Sequence, residues 1–340
     1  MKKHIKYLTI SLFITLMVGS CDVEEEPVSY AGDSLFDNEA GTQSVLNGVY
    51  AGVAGYNYYA SGFHQFLNVG SGLYASEKRG YYDNIAGLNA VPSTKDVGDV
   101  WRGLYQAIGR ANDLIYNLEA YQWEDTTTYN DIMGQAYFLR SLTYFNLVRI
   151  YGGVPIVTEP VTPDKINNPR ESTDDVFTQI IIDAETAAGL LPAIGSGTKG
   201  RPDKSAVYML LAKAYIHMAG NRTSAETEYW QNAYNEAIKA YGSRSLVPDF
   251  RTLWYEETGQ NTAESLFELQ SNEEVTMRLH QLSTPKNGSV GLNTWGRFKP
   301  NLEVYDKHAN AYPTDPRIPS TFITEYTYYK SATNTKIQLT

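Results

Sequence analysis

The sequence predicts a mainly α-helical fold, in which a helical platform carries a loop-rich, irregular lobe. Helical spacing of apolar residues recurs over about 36–55 and 97–245. Residues 56–96 are rich in aromatic residues, Gly, Asn and Ser and show no sustained period. A long irregular segment of this kind is usually functional or disordered. We therefore expect residues 56–96 and 246–340 to form the lobe, and the helical stretches to form the platform.

Capping residues and breakers set the helix boundaries within the platform. Asp37 or Asn38 can cap the first helix. Ser172, followed by Thr173 and two acids, begins a later helix that stops at Pro192. The sequence predicts helices at about 37–55, 97–121, 134–151, 172–191, 203–220 and 226–241.

The helix that begins near Gly134 is apolar on almost every side, which is typical of a helix buried among others. It ends at Gly152 and Gly153, with Pro155 behind them, a strong C-terminal signal. Arg140 lies in its middle, and a buried guanidinium is costly unless it is paired. We expect Arg140 to be buried, to pair with a carboxylate or with helix-end carbonyls, and not to touch ligand.

A weak repeat relates these helices in pairs. The tetratricopeptide pattern places a large aromatic residue, Leu, a small residue and Tyr on its first helix. Residues 208–215 (YMLLAKAY) fit it, and residues 137–144 (YFLRSLTY) fit with Arg140 in place of Leu. Small residues at Ala184 and Ala187 suit the second helix. The pattern predicts degenerate tetratricopeptide-like pairs, and generic helical packing is the alternative.

The N-terminus predicts processing and lipidation. Three lysines precede an apolar run from Tyr7 to Val18, which is too short to span a bilayer, so residues 1–20 resemble a signal peptide. Small residues then precede Cys21, the only cysteine of the chain, as in a bacterial lipobox. We expect lipidation at Cys21 and a tether over 21–35. An ordinary signal peptide with an incidental cysteine is the alternative.

The order of motifs along the chain resembles the SusD/RagB family of outer-membrane nutrient-binding lipoproteins. The resemblance covers roughly residues 21–320. Its pieces are the lipobox at Cys21, WRGLYQAI at 101–108, GQA at 134–136, YGGVP at 151–155, GR at 200–201, ESLFE at 264–268 and DPR at 315–317. The acidic residues 22–26 also resemble the export signal of surface lipoproteins in the Bacteroidetes, although a solvated linker would look similar.

The resemblance implies a SusD-like fold and a role in nutrient uptake. Members of the family bind glycans, or in some cases peptides, and close a SusC-like TonB-dependent barrel like a lid. The expected location is the outer membrane, facing the cell exterior, with membrane attachment through the lipid anchor only. A structural lid that binds no ligand is a further alternative.

The C-terminus departs from the family pattern. Family members are typically much longer and carry further helices and an Arg/Glu-rich motif near the end, and neither precedes Thr340. The interpretation that we favour is a fragment or truncated product, and a shortened family member is the alternative. The last residues, around Tyr326 to Tyr329, read as a strand.

The resemblance implies a ligand site on the loop-rich side, and two segments fit, about 74–89 and 292–299. Exposed flat rings with nearby donors and acceptors are what glycan recognition requires. The candidate ligand-binding residues are Trp295, Tyr81, Tyr82, Asn84, Arg79 and Phe298. The alternative for all of them is packing of loops over the core or contact with the barrel, and Trp101 is expected in the core.

Composition and motifs argue against several other function classes. The net charge is −10, and no basic run follows the extreme N-terminus, which argues against nucleic acid as a partner. The five His lack metal-ligand spacing, and the sequence contains no serine-hydrolase, zinc-protease or P-loop motif. We expect a binding protein without metal or cofactor. A glycosidase, whose paired carboxylates a sequence alone does not reveal, is the enzyme alternative.

Overall fold

The computed structural model describes residues 35–76, 90–162, 167–220, 227–254, 258–271, 278–285 and 294–324, together with the backbone of two strands near the C-terminus. The helices are α1 (Glu39–Val53), α2 (Gly62–Val69), α3 (Lys95–Glu119), α4 (Thr126–Tyr151), α5 (Thr173–Leu190), α6 (Lys204–Gly220), α7 (Thr227–Ala240), α8 (Leu279–Ser283), α9 (Leu302–Ala311) and α10 (Ile318–Thr321). The strands are β1 (Tyr74–Ser76), β2 (Phe298–Pro300), β3 (Tyr326–Lys330) and β4 (Thr335–Leu339).

The platform helices pack in the order of the sequence. Helix α3 lies on α4, α4 on α5, α5 on α6 and α6 on α7, while α1 packs against α3 and α4. The predicted pairs, α4 with α5 and α6 with α7, are therefore both present. The buried apolar residues from α1 to α6 form one continuous core. Trp101 packs on this core and touches the rings of Tyr105 and Tyr151. The mainly helical, tetratricopeptide-like fold is confirmed.

Helix α4 is buried along most of its length, and its end requires two glycines for different reasons. Gly152 has a φ of 68°, in the left-handed region that favours glycine. A Cβ on Gly153 would lie 2.2 Å from the carbonyl oxygen of Glu171. The chain therefore turns sharply after Tyr151 and passes close to the start of α5.

The predicted pairing of Arg140 is confirmed. Its Nε and Nη2 donate to the two carboxylate oxygens of Asp183 on α5, at 2.8 and 2.7 Å. Its Nη1 donates to Oδ1 of Asn112 on α3, at 2.9 Å, and to the carbonyl of Thr158, at 3.0 Å. The Arg140 side chain is 4% exposed. One buried cation thus joins three helices and the extended crossing that follows α4.

Helix α2 lies inside the segment for which the sequence predicted no regular structure. Eight residues give only about two turns, which is too short for an apolar period to show. Phe63 and Tyr58 are buried in the platform core, and α2 packs against α3. The first part of the irregular segment is therefore built into the helical body.

The lobe contains two small antiparallel ribbons. Strand β1 pairs with β2, and β3 pairs with β4. The pairing at Tyr326–Lys330 confirms the strand that the sequence predicted near the C-terminus. Among the helices that the structure describes, none combines the length and the apolarity that a membrane-spanning segment needs.

Candidate ligand-binding site

The two segments that the sequence selected for ligand binding meet in the structure. Strand β1 lies at the start of the first segment, and β2 ends the second. The register sets Tyr74 opposite Pro300 and Ser76 opposite Phe298. The backbone N–H of Asn301 extends this pairing by donating to the carbonyl of Leu73 at 2.8 Å. More than two hundred residues separate the two segments in sequence, so the fold creates this neighbourhood.

The chain leading into β2 alternates between two faces. Thr294, Gly296 and Phe298 are buried, whereas Trp295 and Arg297 are half-buried. This period of two is that of an extended strand, whose successive side chains point to opposite sides. The N–H of Trp295 donates to the carbonyl of Gln281 at 2.6 Å, which fixes the segment against α8. Trp295 and Arg297 consequently face outward together.

The outward side chains form a cluster that we call the Trp295 face, made of Tyr56, Arg278, Trp295 and Arg297. The guanidinium carbon of Arg297 lies 4.5 Å from the centroid of the Trp295 ring, and that of Arg278 lies 5.8 Å from it. Arg278 also lies 5.2 Å from the centroid of the Tyr56 ring, which is 53% exposed. The backbone N–H of Arg278 donates to the carbonyl of Ala60 at 2.8 Å, which ties the cluster to the segment before α2.

A cavity of about 640 Å³ lies on the other side of the same segment. Gly296 and Phe298 of this segment line the cavity, together with the aromatic rings of Tyr74, Trp254 and Phe322. Phe298 is itself only 4% exposed and packs against Leu282. A cavity of this size, with mostly apolar walls and a few polar groups, is typical of small-molecule sites.

Comparison with known proteins identifies the family. Residues 23–216 match the model of a family described as SusD-like, starch-binding and associating with the outer membrane, and this match covers more than half of the chain. The chain belongs to the SusD-like family. The match begins two residues after Cys21 and ends in α6, so it covers most of the platform.

Individual relatives agree with this assignment. SusD-like protein P2 of Formosa agariphila is 30% identical over 275 residues, which cover 78% of this SusD-like chain and 52% of that protein. A SusD homologue from Bacteroides thetaiotaomicron has a crystal structure with a TM-score of 0.74 at 21% identity, covering 89% of this chain and 63% of that one. A structure described as being with xylogluco-oligosaccharide has a TM-score of 0.69 at 21% identity, covering 86% and 61%. The chain spans about half the length of the curated relatives it matches.

The structure locates only part of the predicted site of this SusD-like protein. Trp295 is half-buried and packs against the cluster of Leu282 and Phe298, and Phe298 also lines the cavity. The remaining predicted positions lie outside the described residues: the ligand candidates Arg79, Tyr81, Tyr82 and Asn84, and the lipidation site Cys21.

Sequence reasoning did not select Tyr56, Arg278 or Trp254. Tyr56 belongs to a run of three tyrosines and one asparagine, residues 56–59, in which Tyr58 is in the core while Tyr56 is exposed. The sequence of that run does not show which tyrosine is buried and which is exposed. Arg278 belongs to no recognisable motif, and Trp254 stands in a short 3₁₀-helix that gives no sequence pattern.

The DPR motif has a structural role beside the cavity. Arg317 donates through its backbone N–H and its Nε to Asp315, both at 2.9 Å. Hydrogen bonds from Arg317 and from His308 hold the pKa of the Asp315 carboxyl below its usual value. The ring of His308 contacts Phe322, so this turn supports a wall of the cavity. In the described part of the chain, no three His, Cys, Asp or Glu side chains are placed to hold a metal ion.

Proposed function

We propose that this SusD-like protein is a cell-surface lipoprotein, anchored through Cys21, that captures a glycan and delivers it to a SusC-like TonB-dependent transporter. Two findings support the proposal: the family is described as starch-binding and associating with the outer membrane, and a structure of the same fold is described as being with xylogluco-oligosaccharide. The protein acts by binding, without catalysis.

The Trp295 face is the observation that carries this proposal. Sugar rings bind to flat apolar surfaces, while their hydroxyls need donors and acceptors that replace water. Trp295 and the exposed Tyr56 supply ring surface, and Arg278 and Arg297 supply donors beside it. The position of this cluster next to the sheet formed by β1 and β2 places it where both predicted ligand segments meet.

We further propose that Arg79, Tyr81, Tyr82 and Asn84 contribute to the same ligand site. They follow Ser76 by a few residues in sequence, and Ser76 pairs with Phe298. The buried Phe298 would then have a supporting role, by holding the backbone around Trp295 in place.

Affinity electrophoresis of the purified full chain through gels that contain starch, xyloglucan, polygalacturonate, carrageenan or no polysaccharide tests glycan binding. We expect retardation by at least one glycan, and at least about tenfold weaker binding by Trp295→Ala, as is common for a tryptophan at the centre of a binding site. Trp230→Ala is the matched control, because Trp230 is 47% exposed on α7, outside the lobe. Equal retardation of both variants would contradict the placement of the site.

Two further measurements separate the alternatives. If Trp254→Ala rather than Trp295→Ala removes binding, the glycan occupies the cavity instead of the Trp295 face. Retention of oligopeptides, and not glycans, on the immobilised chain would favour peptide uptake. Co-purification with a TonB-dependent barrel without binding of any ligand would favour a structural lid.

A further inference from the structure

The residues that build the Trp295 face carry a local charge opposite to that of the protein. Residues 278–300 contain four Lys or Arg and no Asp or Glu, in a chain that has 38 acids and a net charge of −10. This run includes Arg278 and Arg297, which both lie over the Trp295 ring, and Lys299 in β2. The stretch of chain at the proposed ligand site is thus basic in sequence, within a strongly acidic protein.

Arg278 differs in its partners from the arginines that form ion pairs with aspartate. Several others are paired with an aspartate in the structure, namely Arg102, Arg140, Arg244, Arg251 and Arg317. Among the described residues, the guanidinium of Arg278 lies over the rings of Tyr56 and Trp295 and has no carboxylate partner.

A contact with ring faces is not a hydrogen bond, so it leaves the donors of a guanidinium available. The five N–H donors lie in the plane of the group, and their fork matches the geometry of a carboxylate or of a tetrahedral oxyanion. The hydrogen bond from the backbone N–H of Arg278 to the carbonyl of Ala60 fixes the backbone of Arg278. This limits the conformational entropy that is lost when a ligand binds. The guanidinium of Arg278 can therefore bind an anion beside the rings of Tyr56 and Trp295.

We propose that the ligand of the Trp295 face is an acidic glycan, and that Arg278 binds its anionic group while Trp295 and Tyr56 contact the sugar rings. The inference rests on the proposed glycan-binding function and narrows its substrate class. The anionic group is a uronic-acid carboxylate or a sulfate ester, which present the same in-plane pairs of oxygens to a guanidinium.

The test compares neutral and acidic polysaccharides on the purified full chain. Affinity electrophoresis and calorimetry use xyloglucan and starch as neutral probes, polygalacturonate as the uronate probe, and carrageenan as the sulfated probe. We expect one acidic probe to bind at least about tenfold more tightly than either neutral one. Its affinity should fall between about 50 and about 300 mM NaCl, because salt screens exposed charges.

Arginine variants locate the effect. Arg278→Gln should weaken binding of the acidic probe about tenfold or more and that of a neutral probe by a smaller factor, because a neutral sugar loses a hydrogen bond and not an ion pair. Arg278→Lys keeps the charge but loses the planar fork, so it should restore binding only partly. Arg102→Gln is the matched control, because Arg102 is exposed on α3 and pairs with Asp99. Thermal unfolding of each variant verifies that the fold is intact.

The outcomes distinguish this inference from the proposed glycan-binding function on which it rests. Tight binding of polygalacturonate alone, or of carrageenan alone, with loss in Arg278→Gln, supports the inference and identifies the anion. Binding of neutral glycans only, or acidic binding that Arg278→Gln does not change, overturns the inference while the glycan-binding function stands. Failure of all four probes to bind contradicts the glycan-binding function itself.

Discussion

The buried pair of Arg140 and Asp183 gives the sharpest prediction about the platform. Asp183→Ala removes the carboxylate that accepts two hydrogen bonds from Arg140, at 2.7 and 2.8 Å. The guanidinium would stay buried, with Asn112 and the carbonyl of Thr158 as its remaining partners. The variant therefore tests whether this charge is held by its pairing.

The expected cost follows from the burial of both groups. Removing one partner of a buried ion pair typically costs about 3–5 kcal/mol, because the other charge remains in a medium that solvates it poorly. The side chains of Arg140 and Asp183 are 4% and 1% exposed, so solvent does not screen the loss. A change of this size is a large part of the stability of an ordinary domain.

Urea unfolding followed by circular dichroism measures the change. Glu185→Ala is the matched control, because Glu185 is an exposed acid on the same helix, and its loss should stay within about 0.5 kcal/mol. The double variant Arg140→Leu with Asp183→Leu places at 140 the residue that the repeat pattern prefers. We expect the double variant to lose at least about 2 kcal/mol less stability than the summed losses of Arg140→Leu and Asp183→Leu alone, since neither charge is left unpaired.

Two results would refute this reasoning. One is a cost of Asp183→Ala that is close to that of Glu185→Ala, which would mean that the pair is not buried in solution. The other is strict additivity in the double variant, which would mean that Arg140 and Asp183 do not interact.

Three further predictions concern the platform. Gly153→Ala should lower the free energy of unfolding by about 2 kcal/mol or more, because its Cβ would overlap the carbonyl of Glu171, whereas Gly109→Ala, in open space on α3, should raise it by about 0.5–1 kcal/mol; urea unfolding of both variants compares them. Asp203→Asn should cost about 1–3 kcal/mol, since its buried carboxylate accepts from Gly195 and Ser205 at 2.8 Å; a thermal melt unchanged at neutral pH would contradict this. Burial lowers the pKa of His64, so the unfolded chain takes up a proton more readily and stability should fall as the pH drops below about 6.5; His64→Gln should reduce that slope, and an unchanged slope would mean that His64 is solvated.

The platform could be predicted from the sequence because its signals are local. Helices α3 to α7 are long enough for the apolar period and the caps to appear. Their boundaries agree with the structure to within a few residues, except that α4 begins at Thr126, after the cap at Asp125, and not near Gly134. Arg140 was informative because a charge in an otherwise apolar helix requires a partner. That partner, Asp183, lies 43 residues further along the chain, and its identity was not predictable from spacing.

The lobe could be predicted only in part because its signals depend on distant contacts. Helix α2 is too short to show a period. Trp295 was selected from its loop context, but the pairing of β1 with β2 joins residues far apart in sequence, and no local pattern encodes it. The same long-range contact brings Tyr56 and Arg278 to Trp295, so the composition of the Trp295 face became visible only in the folded chain.

Glycan binding by the paired tryptophan variants tests the central claim most directly. Affinity electrophoresis of the full chain, Trp295→Ala and Trp230→Ala through polysaccharide gels compares two partly exposed tryptophans, of which only one lies in the lobe. The proposed function predicts retardation of the unmodified chain and of Trp230→Ala, and its loss in Trp295→Ala. Retardation of all three proteins alike would contradict the placement of the site at Trp295, and retardation of none would contradict glycan binding.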